Sequence, residues 1–89
     1  MIVEFDKSFD KSLKKIHDPG ILHRLARIII QFENSSSFHA FQNVKKLTGY
    51  SNYYRIRIGD YRVGFESIDK NAIRFIVIAH RKEIYKIFP

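Results

Sequence analysis

Three arginines lie in a short stretch where polar and apolar residues alternate. Arg55 and Arg57 alternate with isoleucines, and Gly59-Asp60 separates them from Arg62. Successive side chains of a strand point to opposite faces, and Gly-Asp favours a two-residue hairpin, so the pattern places all three arginines on one sheet face, with Arg57 opposite Arg62. Planar guanidinium groups suit phosphate or carboxylate ligands. We therefore expect an anion-binding face; the alternative is a charged surface that prevents edge pairing.

A second group of reactive side chains follows the last long apolar segment. His80, Arg81 and Tyr85 lie just beyond it. An imidazole is the usual proton shuttle near neutral pH, and a tyrosine can stack on a base or donate a hydrogen bond. The end of that strand can bring these groups close to the arginine face. Taken singly, His80 and Tyr85 fit a structural role equally well.

Other basic and aromatic residues are candidates for binding a nucleic acid. Lys45, Lys46 and Tyr54 precede or accompany the arginines, and Lys82 follows His80. Basic residues interleaved with aromatic rings suit a phosphate backbone and stacked bases, although strand tyrosines more often simply pack. The histidines do not have metal-ligand spacing and no phosphate-loop pattern is present, so we expect neither a metal nor a cofactor.

Charge and composition narrow the class of protein. The chain has 89 residues, no cysteine and a net charge of +7. Residues 45–89 carry ten Lys or Arg against four Asp or Glu, which suggests a polyanion or an acidic protein segment as partner. The longest apolar run is far too short to cross a bilayer, and the first residues do not resemble a signal peptide. We expect one soluble, cytoplasmic domain over residues 1–89.

Hydrophobic periodicity predicts an α+β fold, in which an N-terminal strand is followed by a helix pair that packs on one face of a sheet. The first helix is expected around Phe9, Leu13 and Ile16, and the second after the cap Asp18-Pro19. Phe38 to Val44 is ambiguous between a short helix and a connector. The expected strands are Ile2 to Phe5, Tyr53 to Ile58, Tyr61 to Glu66 and a central Ile73 to Ala79, with a terminal helix within Lys82 to Phe88.

These motifs together resemble the RelE/ParE superfamily of bacterial toxins over nearly the whole chain. The resemblance implies that the N-terminal strand and the helix pair pack on a small, curved, mainly antiparallel sheet. The residues that carry the resemblance are Lys46-Leu47-Thr48-Gly49, Tyr54 through Arg62, and His80-Arg81-Lys82-Glu83-Ile84-Tyr85. In the RelE branch, the resemblance implies a ribosome-dependent, metal-independent endoribonuclease that is restrained by a cognate antitoxin. Its cut in mRNA uses the 2′-OH, which attacks the adjacent phosphate and leaves a cyclic phosphate and a free 5′-OH.

The resemblance also implies roles for individual residues. By position, Arg55 and Arg57 are similar to two basic strand residues of that family, and Arg62 to its phosphate-stabilising arginine. Arg81 is similar to the arginine near the carboxyl end, and Tyr85 to the tyrosine that stacks on a base.

One departure from the family pattern concerns the general base. RelE-like enzymes often have lysines at the positions of Arg55 and Arg57, and an arginine cannot readily give up its proton. We therefore expect these arginines to clamp the phosphate and His80 to act as base or acid, with Glu66 and Glu83 as alternatives.

Two other functions fit the same residues. A ParE-like toxin would inhibit DNA gyrase without nuclease activity, and its arginine face would meet acidic protein residues. A non-catalytic module would bind RNA without cutting it. In each toxin, an acidic or amphipathic antitoxin segment is expected to cover the basic face and to fold as it binds.

Overall fold

The computed structural model describes residues 1–39 and 41–89. In chain order the elements are β1 (Ile2–Phe5), α1 (Lys7–Leu13), α2 (Pro19–Glu33), β2 (Val44–Lys46), β3 (Tyr53–Ile58), β4 (Tyr61–Asp69), β5 (Ala72–His80) and α3 (Ile84–Ile87). The strands form one sheet in the order β1-β5-β4-β3-β2; β1 and β5 are parallel and the other pairs are antiparallel. The α+β, mainly antiparallel prediction is confirmed. No helix in the described ranges is long and apolar enough to cross a membrane.

Short polar side chains start both longer helices. The Asp18 carboxylate accepts hydrogen bonds from the backbone N–H groups of Gly20 (2.9 Å) and Ile21 (3.3 Å), with proline at the first helical position, as the sequence predicts. Asp6 caps α1 in the same way through the N–H of Ser8 (3.0 Å). The first helix ends at Leu13, earlier than its apolar spacing suggests.

The helix pair covers one face of the sheet. Its apolar positions Phe9, Leu25 and Phe32 are buried against alternate strand residues, which include Ile56, Ile58, Val63, Phe65, Phe75 and Ile78. We call this the helix face. Because side chains alternate along a strand, the strand residues between these buried positions point to the other side of the sheet, which we call the arginine face. Arg55, Arg57 and Arg62 are on this face.

A bulge interrupts the alternation of side chains along β5. Gly64 pairs with Val77, but Phe65 pairs with Phe75, so Ile76 is an extra residue in β5. After the bulge the alternation is shifted by one, which puts Val77 on the arginine face and Ile78 back in the helix-face core.

Two serines of α1 bind the backbone beside this bulge. The Ser8 hydroxyl shares its one proton between the Asp6 carboxylate and the carbonyl oxygen of Ile76, and the Ser12 hydroxyl accepts from the N–H of Ile78 (3.0 Å). Helix α1 thus satisfies backbone groups that the irregular ladder leaves available.

Two sequence expectations about the sheet need correction. Ile73 to Ala79 was expected to be the central strand; β5 is an interior strand, but β4 is in the middle, because β1 adds beyond β5. The second concerns Phe38 to Val44, which includes one residue outside the described part of the chain. Val44 belongs to β2, a strand that the sequence did not predict, and Lys45 of β2 pairs with Arg55.

The C-terminal segment covers part of the arginine face. Ile84 of α3 and Phe88 are buried against Val77. The Phe88 ring lies over Gly64, where an added Cβ would be 2.5 Å from the nearest ring carbon. The absence of a side chain at Gly64 therefore allows α3 to dock beside Arg55, the strand partner of Gly64. The helix is shorter than the segment in which it was expected.

Candidate active site

Strand register brings four cations together on the arginine face. Arg57 pairs directly with Arg62 across β3 and β4, as the two-residue loop predicts. Lys45 of β2 pairs with Arg55 on the other side of β3. The turn between the strands has Gly59 at φ 58°, a left-handed conformation that favours glycine. This register groups positive charge on neighbouring strands.

The four cations line an open cavity of about 540 Å³. Its walls are Arg24, Gln42, Asn43, Lys45, Arg55, Arg57, Gly59, Arg62 and Tyr85. Five of these residues are Lys or Arg, and none of these wall residues is Asp or Glu. A cavity of this size has room for more than one phosphate group, since ligand pockets typically measure about 300–1,000 Å³. Its charge suits a polyanion.

Arg62 is the most constrained of the arginines. Its Nη1 donates to the carbonyl oxygens of Gly59 and Tyr61, both at 2.9 Å. Burial, followed by the charge of Arg57, lowers the pKa of Arg62, and Arg55 adds to the effect. The guanidinium remains charged. The Arg62 guanidinium is thus held in place before any ligand binds, and it is repelled by the neighbouring arginines. A bound anion would offset this repulsion.

Tyr85 brings an aromatic ring to the same cavity. The Arg55 guanidinium lies 4.9 Å from the centre of the Tyr85 ring, a cation–π contact. Tyr85 remains 67% exposed, so its ring is accessible to a ligand. This contact connects α3 to β3.

Arg81 lies at the hairpin turn and does not line the cavity. Its backbone N–H donates to the Asp60 carbonyl oxygen (2.7 Å), and its Nε is 3.9 Å from the Asp60 carboxylate. Asp60 thereby fixes the chain just beyond β5 against the turn that precedes Arg62.

The structure does not bring His80 to the cavity. Arg62 pairs with Ala79, and His80 pairs with Tyr61, so His80 belongs to the helix face. Its ring packs edge-on against Tyr61, with centroids 5.6 Å apart, and its Nδ1 accepts a hydrogen bond from the Lys82 N–H (3.2 Å). The bulge at Ile76 causes this orientation, because uninterrupted alternation from Phe75 would turn His80 to the arginine face.

Three candidate RNA-binding residues also lie outside the cavity. Tyr54 stacks on Phe65 (centroids 5.4 Å apart) within the helix-face core, and Lys46 pairs with Tyr54 on that side. Lys82 is exposed in the turn after β5. Of the residues that the sequence assigned to RNA binding, Lys45 alone lines the cavity.

Both carboxylates considered as alternative bases are engaged elsewhere. Glu66 accepts a hydrogen bond from Asn52 Nδ2 (3.1 Å) and lies 3.5 Å from Arg74. Glu83 lies 3.9 Å from Lys86. Neither carboxylate lines the cavity.

Sequence reasoning missed three cavity residues. Arg24 comes from α2, and Gln42 and Asn43 precede β2. Asn43 holds the segment before β2 against β3. Its carbonyl accepts a hydrogen bond from the Arg57 N–H (2.9 Å), and its Nδ2 donates one to the Arg57 carbonyl (3.1 Å). Arg24 lies on the polar side of α2, but its proximity to the hairpin depends on tertiary packing and has no local signal. Within the described residues, no cluster of His, Asp and Glu is suited to hold a metal ion.

Comparison with known proteins gives consistent matches. Residues 3–85 match the family model described as the ParE toxin of the type II toxin-antitoxin system parDE. The chain is also 44% identical over 91 aligned positions to Toxin RelE3 of Methanocaldococcus jannaschii, with 100% of both proteins covered.

Solved structures share the fold. The chain is similar to one in the crystal structure of a RelB-RelE antitoxin-toxin complex from Methanococcus jannaschii, with a TM-score of 0.83, 42% identity, and coverage of 97% of this chain and 99% of that one. A chain of the RelE-RelB complex from Pyrococcus horikoshii has the same fold, with a TM-score of 0.70, 24% identity and coverage of 90% and 93%.

Proposed function

The chain belongs to the RelE/ParE superfamily of type II toxin–antitoxin toxins and is RelE-like, and on this basis we propose that it is a ribosome-dependent endoribonuclease that cleaves mRNA. The observation that supports this proposal most strongly is the cavity in which Lys45, Arg55, Arg57 and Arg62 converge without a carboxylate among its walls. Residues 1–89 act as one toxin domain in the cytoplasm, where ribosomes are. The reaction uses no cofactor.

The proposed reaction is an internal transesterification. The ribose 2′-oxygen attacks the adjacent phosphorus, the bond from phosphorus to the 5′-oxygen breaks, and the products are a 2′,3′-cyclic phosphate and a free 5′-OH. One proton leaves the 2′-OH and one is added to the 5′-oxygen. Negative charge increases on the phosphoryl oxygens in the transition state, where Arg57 and the oriented Arg62 stabilise it.

Proton transfer needs groups other than arginine. Among the cavity walls, Lys45 and Tyr85 have side chains that can lose or donate a proton. We assign proton transfer to this pair, with the Tyr85 ring also available to stack on a base. His80, the group favoured from sequence, becomes the less favoured assignment because it lies on the helix face.

The proposed partners are mRNA on the ribosome and a cognate antitoxin. RelB-RelE complexes are known for related toxins, which supports an antitoxin for this chain. The cavity walls carry five Lys or Arg residues and no Asp or Glu, so an acidic or amphipathic antitoxin segment would complement them. Such a segment would block RNA by occupying the same cations. A membrane has no part in this proposal.

Gyrase inhibition without nuclease activity is the second candidate. The family model that matches residues 3–85 is named for ParE, and the cavity walls contain neither His, Asp nor Glu as a base. In that case the arginine face would bind acidic residues of a protein. A non-catalytic RNA-binding module would use the same cavity without proton transfer.

Induced expression of the toxin separates these candidates. Primer extension on translated messages should find cuts at fixed positions within codons, and translation should stop. A gyrase inhibitor would leave messages intact and induce DNA damage. An RNA-binding module would leave both messages and DNA intact. Intact messages in growth-arrested cells would overturn the ribonuclease proposal.

A further inference from the structure

Arg24 extends the arginine face around the end of the β3–β4 hairpin. It comes from α2, yet it lines the same cavity as Arg57 and Arg62. Its Nη1 lies 3.2 Å from the point that a Cβ on Gly59 would occupy, and the Gly59 carbonyl binds Arg62 Nη1 at 2.9 Å. The guanidiniums of Arg24 and Arg62 therefore both lie against Gly59.

No ion pair in the described residues uses Arg24. The four ion pairs there join Arg74 to Glu4 and Glu66, Arg81 to Asp60, and Lys86 to Glu83. The side chain is exposed and its charge is uncompensated within a cavity whose walls have no carboxylate. A cation in this position adds to the repulsion among the arginines unless an anion is present.

We propose that Arg24 binds a phosphate of the RNA backbone next to the one that is cleaved. This inference rests on the proposed function, since it assigns RNA as the occupant of the cavity. Arg62, held by the Gly59 carbonyl, binds the reacting phosphate, and Arg24, close to the Cβ position of Gly59, binds the adjacent phosphate of the RNA. The cavity of about 540 Å³ accommodates more than a single phosphate group. RNA carries one negative charge per nucleotide, so a phosphate next to the cleaved one can pair with Arg24, which lies beyond the arginines at the reacting phosphate.

Arg27 provides a matched control on the same helix. It is exposed, carries the same charge and lies outside the cavity. Arg24→Ala and Arg27→Ala each remove one positive charge, so a difference in RNA binding between the two variants shows the effect of the position of the charge. Arg24→Lys keeps the charge and should retain most of the binding.

The test uses a short, fluorescently labelled, single-stranded 2′-O-methyl RNA, which has no 2′-OH and cannot be cleaved. Fluorescence anisotropy gives its affinity for each variant at several salt concentrations. Each phosphate contact on a single strand contributes about 0.7 to the slope of log affinity against log salt. We expect Arg24→Ala to reduce this slope by about 0.7 for uridine and adenosine sequences alike, and Arg27→Ala to leave it near wild type.

The inference is wrong if Arg24→Ala and Arg27→Ala have the same slope, or if the folded wild type does not bind this RNA. Circular dichroism of each variant confirms that a lost contact does not reflect unfolding. If Arg24→Ala does not fold, Arg24→Gln and Arg27→Gln, which also remove one charge each, supply the same comparison. Because the probe cannot be cleaved, equal slopes would leave the ribonuclease proposal standing. Conversely, an Arg24-dependent slope without mRNA cleavage on ribosomes would overturn the ribonuclease proposal and leave Arg24 as a contact to the RNA backbone with no cleaved phosphate beside it.

Discussion

Arg57 and Arg62 face each other directly across β3 and β4, on the side of the sheet that the helix pair leaves open. Like charges in this arrangement repel, and after burial the charge of Arg57 is the largest cause of the lowered pKa of Arg62. Two carbonyl hydrogen bonds nevertheless hold Arg62 in place. The arrangement costs stability in the free protein and becomes favourable when an anion lies between the guanidiniums.

Arg57→Ala should therefore stabilise the free protein. Removing one of two opposed charges should raise the free energy of unfolding by about 0.2–1 kcal/mol at low salt, and added salt should reduce the gain by screening. Urea denaturation at two salt concentrations measures both effects. Lys46→Ala is the control, because Lys46 is a strand cation that pairs with Tyr54 and not with another cation. A greater loss of stability in Arg57→Ala than in Lys46→Ala would contradict this account.

Lys45→Arg should distinguish the two roles proposed for Lys45, which are its positive charge and its part in proton transfer. The variant keeps a cation in the cavity but cannot readily lose a proton, so kcat for mRNA cleavage should fall by about 10²–10⁴-fold while KM changes little. His80→Ala should cleave at close to the wild-type rate, because His80 lies on the helix face. Single-turnover cleavage on ribosomes measures these rates. Wild-type activity in Lys45→Arg together with loss of activity in His80→Ala would return proton transfer to the histidine.

Gly64→Ala should displace the C-terminal segment. The new methyl group would lie 2.5–2.7 Å from three carbons of the Phe88 ring, so the ring must move and Tyr85 with it. We expect a loss of about 1–3 kcal/mol in the free energy of unfolding. In Phe88→Ala the added methyl group meets no ring, so Gly64→Ala should cost much less in that background. Additive losses in the double variant would show that Phe88 is not the obstacle.

The Asp6 carboxylate should make the stability of the fold depend on pH. Hydrogen bonds from the Ser8 hydroxyl and backbone N–H lower the pKa of Asp6 below its usual 3.8. The lowered pKa means that the carboxylate stabilises the fold above pH 3.8 and that this contribution is lost as pH falls through the folded-state pKa. Asp6→Ala should therefore be less stable than wild type at neutral pH, with a gap that narrows in acid. Thermal melts across this range, with Asp6→Asn as a non-titrating cap, measure the gap; a constant gap would contradict the account.

The sequence predicted the parts of the site that depend on local pattern. Alternation and a Gly-Asp turn were sufficient to pair Arg57 with Arg62, and Asp18-Pro19 marked the start of α2. The position of Arg24 could not be predicted in this way, because it depends on where α2 packs against the hairpin.

The position of His80 shows a different limit of sequence reasoning. One extra residue, Ile76, reverses the alternation of the last part of β5 and turns His80 away from the arginines. A run of consecutive apolar residues does not reveal such a bulge, because the register with the bulge and the register without it both place apolar side chains on each face of the sheet. The short strand β2 was missed for a related reason: with Val44 as its one apolar residue among three, it has too little pattern to be recognised.

The most direct test of the central claim is cleavage of a defined mRNA by the purified protein on programmed ribosomes. We expect cuts at fixed codon positions, with a 2′,3′-cyclic phosphate on the upstream fragment and a free 5′-OH on the downstream one. Arg62→Ala should cleave about 10²–10³-fold more slowly, because it removes the oriented guanidinium from the reacting phosphate. Intact mRNA with the folded wild-type protein, or equal cleavage by Arg62→Ala, would contradict the proposal that this cavity cleaves RNA.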